Sequence, residues 1–204
     1  MAVDQKEIYA KFGDDYIATE QTYRLGIDHR FTKHMAERFV GRSVLETCTG
    51  AGFTTIALAR VATHVVTIEI DSLHQDQARR NVGKAGLSDQ VTFVHGDALA
   101  KGILDHCPPI DAAFLDPDWA VGGPGHIYRF RQSNMRPPAD QLLEHVFRLT
   151  KNVAIVLPPI LDVRELEGLP EHERQRLYFG ETRELYCLYF GCLAKSYEET
   201  ELRL

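Results

Sequence analysis

The sequence predicts an α/β fold with a doubly wound, mostly parallel sheet, and two observations carry that prediction. Short apolar runs alternate with helical spans from residue 43 to residue 157. The runs are almost continuously apolar, as is typical of parallel strands that helices cover on both faces. Because crossovers between parallel strands are right-handed, this alternation winds into one sheet with helices on its two faces.

The predicted elements follow one another without a linker or an internal repeat. Strands are expected at 43–46, 64–69, 91–95, 111–115 and 152–157, with helices at 54–59, 72–85, 98–104 and 139–149. Two further strand-like runs, 176–180 and 184–190, are too close for a crossover helix, so they should pair as an antiparallel hairpin at the sheet edge. Residues 5–40 read as amphipathic helix, with Phe31, Met35 and Phe39 at intervals of four.

Composition and charge narrow the class of protein. The chain has 204 residues, 44% of them hydrophobic, and a formal net charge of −6. The negative charge argues against a dedicated high-affinity nucleic-acid clamp, although it leaves room for a local basic stripe. No apolar run is long enough to span a bilayer, and the charged first residues do not resemble a secretory signal, so a cytoplasmic protein is expected. The four cysteines lie outside metal-ligand spacing, and no metal site is expected.

The turn after the first strand is the strongest candidate for a binding site. It reads Glu46-Thr47-Cys48-Thr49-Gly50-Ala51-Gly52, and ligands of open α/β sheets bind at such strand ends. Gly50 and Gly52 allow the backbone to turn and approach a ligand closely. A dinucleotide-binding loop would need a third glycine where Thr55 stands, and Glu46 would repel its pyrophosphate. The carboxylate instead suits the cationic amine and sulfonium of S-adenosylmethionine.

The next two strand ends carry acids that fit the same ligand. Glu69 lies 19 residues after Gly50, where its carboxylate can accept both ribose hydroxyls. Asp97 is placed to accept a hydrogen bond from an adenine amino group. The full set of predicted cofactor-binding residues is Glu46, Thr47, Cys48, Gly50, Gly52, Glu69, Ile70, Asp97 and Ala98.

The fourth strand ends at a candidate methyl-acceptor site, Asp116-Pro117-Asp118-Trp119. An exocyclic amine on a nucleobase is a poor nucleophile, because its lone pair is delocalised into the ring. Asp116 and the carbonyl of Pro117 can hold the amine N–H groups and aim the nitrogen, and orientation of this kind can supply several kcal/mol. Trp119 offers a flat face for stacking, worth about 1–3 kcal/mol per base. We therefore expect Asp116, Pro117 and Trp119 to be catalytic and Trp119 and Asp118 to contact the substrate.

These residues resemble the trimethylguanosine synthases, a family of RNA cap guanine methyltransferases. The stretch 116–124, which ends in Gly122-Gly123-Pro124, is similar to the Pro-Pro-Trp-Gly-Gly-Pro motif of that family, and 152–158 and 188–191 are similar to its fifth and last strands. Residues 9–39 resemble its helical extension, which crosses over the active site. The resemblance implies a class I, Rossmann-like methyltransferase with seven strands, and it implies that Phe12, Tyr23 and Asp28 lie near cofactor or base.

The chain departs from the family motif at three places. Asp116 stands where the cap enzymes have serine, Asp118 replaces the second proline, and Ala120 and Val121 separate Trp119 from the glycine pair. Asp118 loosens a turn that proline would fix and adds a negative charge near the base. Such a charge suits a positively charged, N7-methylated guanine, and it equally suits a different acceptor.

The sequence thus predicts an N-terminal helical extension, 1–40, that packs over the active site of a methyltransferase domain, 41–204. The expected reaction is S-adenosylmethionine-dependent methylation of an exocyclic amine, with guanine N2 in RNA or a cap-like nucleotide as the acceptor. Two alternatives stay open: a small-molecule methyltransferase, which the net acidity favours, and a non-catalytic S-adenosylmethionine-binding module. The oligomeric state is not predicted.

Overall fold

The computed structural model describes residues 3–105, 107–119 and 128–204, and the chain groups into two compact units, Met1–Ile110 and Asp111–Leu204.

The N-terminal segment forms three short helices. In the first unit the helices are α1 (Gln5–Phe12), α2 (Glu20–Leu25) and α3 (His29–Ala36), followed by a 3-10 turn at Glu37–Phe39. Asp4, Thr19 and Asp28 cap their N-termini through side-chain oxygens. Phe31, Met35 and Phe39 are buried, as their spacing predicts.

The described residues of the first unit also include three parallel strands and two α-helices. The strands are β1 (Ser43–Thr47), β2 (His64–Glu69) and β3 (Val91–His95), in the order β3-β2-β1. Helix α4 (Phe53–Ala59) connects β1 to β2, and α5 (Ser72–Lys84) connects β2 to β3. The register places Glu46 beside Thr67 and Glu69 beside His95. The predicted β-α-β-α-β alternation is confirmed.

The predicted helix at 98–104 is wrong. This stretch is a series of turns, in which the backbone N–H groups of Ala100, Ile103 and Asp105 donate to the carbonyls three residues earlier. Gly102 adopts φ of +82°, which breaks helical geometry at the centre of the segment.

The second unit contains both parallel and antiparallel strands. Strands β4 (Ala112–Leu115) and β5 (Val153–Leu157) are parallel and flank helix α6 (Ala139–Val146) in sequence. Strands β6 (His172–Phe179) and β7 (Thr182–Phe190) form the predicted antiparallel hairpin, and β7 also pairs antiparallel with β5. The order within this unit is β4-β5-β7-β6-β8.

Strand β8 (Glu199–Arg203) corrects the predicted strand count, since the described residues form eight strands rather than seven. It pairs parallel with β6, so the hairpin does not form the sheet edge. Arg174 and Arg176 on β6 form ion pairs with Glu199, and Arg176 also pairs with Glu201 at 2.8 Å. Cross-strand charge pairs favour this register. Because β8 is held by charged residues, it lacks the apolar pattern by which a strand is recognised in a sequence.

Within the described part of the chain, no helix is both long enough and apolar enough to cross a membrane.

Candidate active site

Glu46 is buried near the carboxyl end of β1 and is only 1% exposed. Its Oε2 accepts hydrogen bonds from the hydroxyls of Thr55 on α4, at 2.5 Å, and of Thr67 on β2, at 2.6 Å. Burial raises the pKa of Glu46 to about 7; the two hydroxyls oppose that rise and the charge of Glu69 adds to it. A nearby cation would therefore stabilise the ionised form of this carboxyl.

The hydroxyl of Thr67 also contacts a second threonine. Thr49 Oγ1 lies 2.5 Å from Thr67 Oγ1, in a buried contact between the loop after β1 and the middle of β2. Thr49, Thr67 and Glu46 thus form one continuous hydrogen-bonded chain. Thr49 lies within the turn that the sequence predicts to bind the cofactor, but it was not singled out as a binding residue.

The glycine turn is held in a narrow geometry. Gly52 adopts φ of +84°, and a Cβ at this position would lie 3.0 Å from the Cβ of Ala78 on α5, so a larger residue would push α5 away. Cys48 also has a positive φ, 64°, although only glycine adopts this region readily. Within the described chain, Thr47 Oγ1 is buried and lacks a hydrogen-bond partner, which suits a polar ligand at this turn.

The predicted ribose and adenine residues occupy the adjoining strand ends. Glu69 is 6% exposed and accepts hydrogen bonds from the backbone N–H of Gly50, at 2.8 Å, and of Asp71, at 2.9 Å. It therefore joins the end of β2 directly to the glycine turn. Asp97 is exposed and accepts from the N–H of Leu99. Ile70 is 67% exposed, an unusual position for an apolar side chain, whereas Ala98 is buried.

The residues predicted in the helical extension have contacts of their own. The ring of Phe12 stacks on that of Phe53 and meets Tyr23 edge-on, with centroids 5.8 Å apart. Asp28 caps α3 and accepts two side-chain hydrogen bonds from Arg30. Burial alone would raise the pKa of Asp28, but the hydrogen bonds from Arg30 outweigh it and lower the pKa. The Asp28 carboxylate is therefore engaged within the extension itself.

Asn81, which the sequence did not single out, ties the extension to the glycine turn. It is completely buried on α5. Its amide Nδ2 donates to the carbonyls of Ile17 and Ala51, each at 2.9 Å, and its Oδ1 accepts from the N–H of Ile17 at 2.7 Å. One side chain thus holds the loop before α2 and the middle of the glycine turn together.

The acceptor motif lies in the second unit, directly after β4. Asp116 and Trp119 are half-buried and Pro117 is buried. Asp118 forms an antiparallel bridge with Arg136: its N–H donates to the Arg136 carbonyl at 2.8 Å, and its carboxylate accepts from the Arg136 guanidinium at 2.7 Å. The bridge needs a backbone N–H that proline lacks. Asp118, which replaces the proline of the family motif, therefore supplies both the bridge and the ion pair with Arg136. Gly122-Gly123-Pro124 lies outside the described residues.

Tyr128 is a neighbour of Trp119 that was not predicted from the sequence. Their rings meet edge to face, with centroids 6.2 Å apart and 82° between the planes. Burial, followed by the charge of Asp118, raises the pKa of Tyr128. The intervening residues gave no sequence signal for this pairing. Across the described residues, no group of three or more His, Cys, Asp or Glu side chains could hold a metal ion.

Comparison with known proteins gives both family and structural matches. Residues 41–191 match the model of a family described as RNA cap guanine-N2 methyltransferase. A catechol O-methyltransferase of Mycobacterium tuberculosis is 39% identical over 92 residues, which cover 44% of this chain and 42% of that protein. The chain therefore spans less than half the length of this relative.

Two solved structures show the fold. A Porphyromonas gingivalis protein described as a candidate methyltransferase has a TM-score of 0.75 at 16% identity, over 92% of this chain and 47% of that chain. TrmK of M. capricolum, in complex with S-adenosyl-homocysteine, has a TM-score of 0.56 at 13% identity, over 82% of this chain and 69% of that chain. The shared architecture is a Rossmann-like α/β fold with a mostly parallel sheet and antiparallel strands near its C-terminus.

Proposed function

The chain belongs to the RNA cap guanine-N2 methyltransferase family, and we propose that it transfers a methyl group from S-adenosylmethionine to the exocyclic N2 of a guanine in RNA or a cap-like nucleotide. The observation that carries this proposal is the family match, which covers residues 41–191 and therefore includes both the glycine turn and the acceptor motif. The sulfonium of S-adenosylmethionine supplies an electrophilic methyl group.

Several features of the first unit support the choice of cofactor. The pKa of the buried Glu46 carboxyl is raised to about 7. A cationic ligand would stabilise its ionised form, whereas an anionic diphosphate would repel that form. Thr47 has a buried hydroxyl without a partner in the described chain. Glu69 and Asp97 can take the ribose hydroxyls and the adenine amino group, and Ile70 can cover the adenine ring. We assign Thr47, Cys48, Gly50, Gly52 and Ala98 to the same cofactor site.

The acceptor roles follow the family motif. Trp119 stacks on the guanine, while Asp116 and the Pro117 carbonyl accept hydrogen bonds from the N2 amine and aim its lone pair. As the nitrogen takes the methyl group, the electron pair of the carbon–sulfur bond would stay on sulfur, and the Asp116 carboxylate would stabilise the positive charge that develops on the nitrogen. The surplus proton on the nitrogen would then pass to the Asp116 carboxylate or to water. We also assign substrate contacts to Asp118 and, from the resemblance of the extension 1–40, to Phe12, Tyr23 and Asp28.

A transfer assay with methyl-labelled S-adenosylmethionine tests the proposal. We expect label in RNA that carries an N7-methylguanine cap, and turnover reduced at least tenfold by Trp119→Ala, about the value of one stacked base. Cofactor affinity of this variant should stay near wild type. Phe179→Ala, which truncates an exposed aromatic side chain on β6, is the matched control. Labelling of small molecules without any labelling of RNA would overturn the RNA assignment.

A small-molecule acceptor is the second candidate, and the match to a catechol O-methyltransferase favours it. This candidate predicts methyl transfer to the hydroxyl of a catechol. The same assay, supplied with catechol in place of RNA, separates the two, because an O-methylated catechol is chemically distinct from a methylated guanine.

A further inference from the structure

Glu46 lies too deep to act as a simple surface partner for a ligand. It sits within β1 and is 1% exposed, whereas Thr49, which is 5% exposed, lies two residues beyond the end of that strand and directly precedes Gly50. Ligands of open α/β sheets bind on this side of the strand ends. We propose that Thr49 binds the aminoacyl ammonium group of S-adenosylmethionine, and that Thr67 and Glu46 act as positioning residues that orient its hydroxyl. This inference rests on the cofactor of the proposed function.

The direction of each hydrogen bond follows from counting protons. A threonine hydroxyl has one proton to donate, and an ionised carboxylate can only accept. Thr67 Oγ1 lies 2.6 Å from Glu46 Oε2, so its proton goes to the carboxylate. In the 2.5 Å contact between Thr49 and Thr67, Thr49 must then be the donor.

The single proton of the Thr49 hydroxyl is therefore used in the bond to Thr67, and its oxygen can only accept further hydrogen bonds. Any further hydrogen bond that it makes must be one that it accepts, which favours a donor such as an ammonium group. Successive hydrogen bonds polarise one another, so the chain from Glu46 makes the Thr49 oxygen more negative. The hydroxyl of Thr55 donates its own proton to the same Oε2, at 2.5 Å. While Glu46 is ionised, this bond therefore leaves the donor directions of Thr67 and Thr49 unchanged.

Calorimetric titration with two ligands tests this role. S-adenosylhomocysteine and 5′-methylthioadenosine share the adenosine thioether, but the second lacks the amino-acid portion. Thr49→Val removes the hydroxyl at nearly constant shape, and we expect it to weaken S-adenosylhomocysteine about tenfold, as for a hydrogen bond to a charged group. Its affinity for 5′-methylthioadenosine should stay within about twofold of wild type. Thr49→Ser, which keeps the hydroxyl, should bind both ligands like the wild type.

A second variant covers the case in which Thr49→Val does not fold. Thr67→Val leaves Thr49 in place but removes the group that takes its proton, and it should weaken S-adenosylhomocysteine selectively by about fivefold. Equal weakening of both ligands, or of neither, would overturn the proposal by assigning the threonines a purely structural role. Failure of the wild-type protein to bind S-adenosylhomocysteine would instead refute the cofactor of the proposed function.

Discussion

The rings of Phe12 and Phe53 lie almost parallel, with centroids 3.5 Å apart and 11° between their planes. Phe12 ends helix α1 of the N-terminal extension, and Phe53 begins helix α4 immediately after Gly52. This stack therefore joins the extension to the residue that follows the glycine turn. Together with Asn81, it makes the geometry of the turn depend on the docking of the extension.

Replacing Gly26 should disturb this stack. A Cβ at Gly26 would lie 2.7 Å from Phe53 Cδ2 and 2.8 Å from Phe12 Cε1, so Gly26→Ala must displace one ring. We expect a loss of about 1–3 kcal/mol in the free energy of unfolding, as for overpacked cores, measured by denaturant titration. Gly83→Ala is the control, because a Cβ there meets only Ser88 Oγ at 3.6 Å. Equal stability of the two variants would contradict the stacking account.

Asn81→Asp tests the link between extension and turn at constant shape. The new carboxylate can still accept from the Ile17 N–H, but it cannot donate to the Ile17 and Ala51 carbonyls. We expect stability to fall by about 1–3 kcal/mol and affinity for S-adenosylhomocysteine to fall with it. Gln77→Ala, which removes a single half-buried contact to Thr22, should cost less than about 1 kcal/mol. If both variants bind ligand like the wild type, Asn81 does not position the turn.

The pH dependence of stability should report the burial of Glu46. Its pKa is raised from 4.5 to about 7, so the folded chain binds the proton more tightly than the unfolded chain. The associated stability is fully present below pH 4.5 and is lost as the pH rises through about 7. That loss amounts to roughly 3 kcal/mol. Glu46→Gln should therefore be more stable than the wild type at pH 8, while it binds S-adenosylmethionine more weakly.

Denaturant titrations of both proteins between pH 4 and pH 8 provide the measurement. The difference between the two curves isolates Glu46 from the other titrating groups. Curves that run parallel across this range would show that the pKa of Glu46 is not raised in the fold.

Asp118→Pro restores the family residue and should be harmful in this chain. Proline removes the N–H that donates to the Arg136 carbonyl, and we expect a cost of about 1–3 kcal/mol in thermal unfolding. Asp118→Asn keeps the backbone N–H but removes the charge that pairs with the partly exposed Arg136 guanidinium, so it should cost less than about 1 kcal/mol. An Asp118→Pro variant as stable as the wild type would show that the bridge does not matter.

Local sequence patterns predicted the sheet and the glycine turn. They did not predict hydrogen bonds and ion pairs between residues that are far apart in the sequence. The apolar runs of β1 to β5 predicted buried strands. The partners of Glu46 lie 9 and 21 residues away and depend on the register of β2 and the packing of α4, which the sequence does not display. Strand β8 was missed because charge pairs with β6 hold it, and Asn81 because a buried asparagine resembles an exposed one in sequence.

Identification of the methylated atom tests the central claim most directly. Capped RNA is incubated with the protein and S-adenosylmethionine, digested to nucleosides and analysed by mass spectrometry against guanine standards methylated at N1, N2 or N7. The proposed function predicts a methyl group on the exocyclic N2 of guanine and its loss in Asp116→Ala. A methyl group on a ring nitrogen or a ribose oxygen, with N2 unmodified, would contradict it.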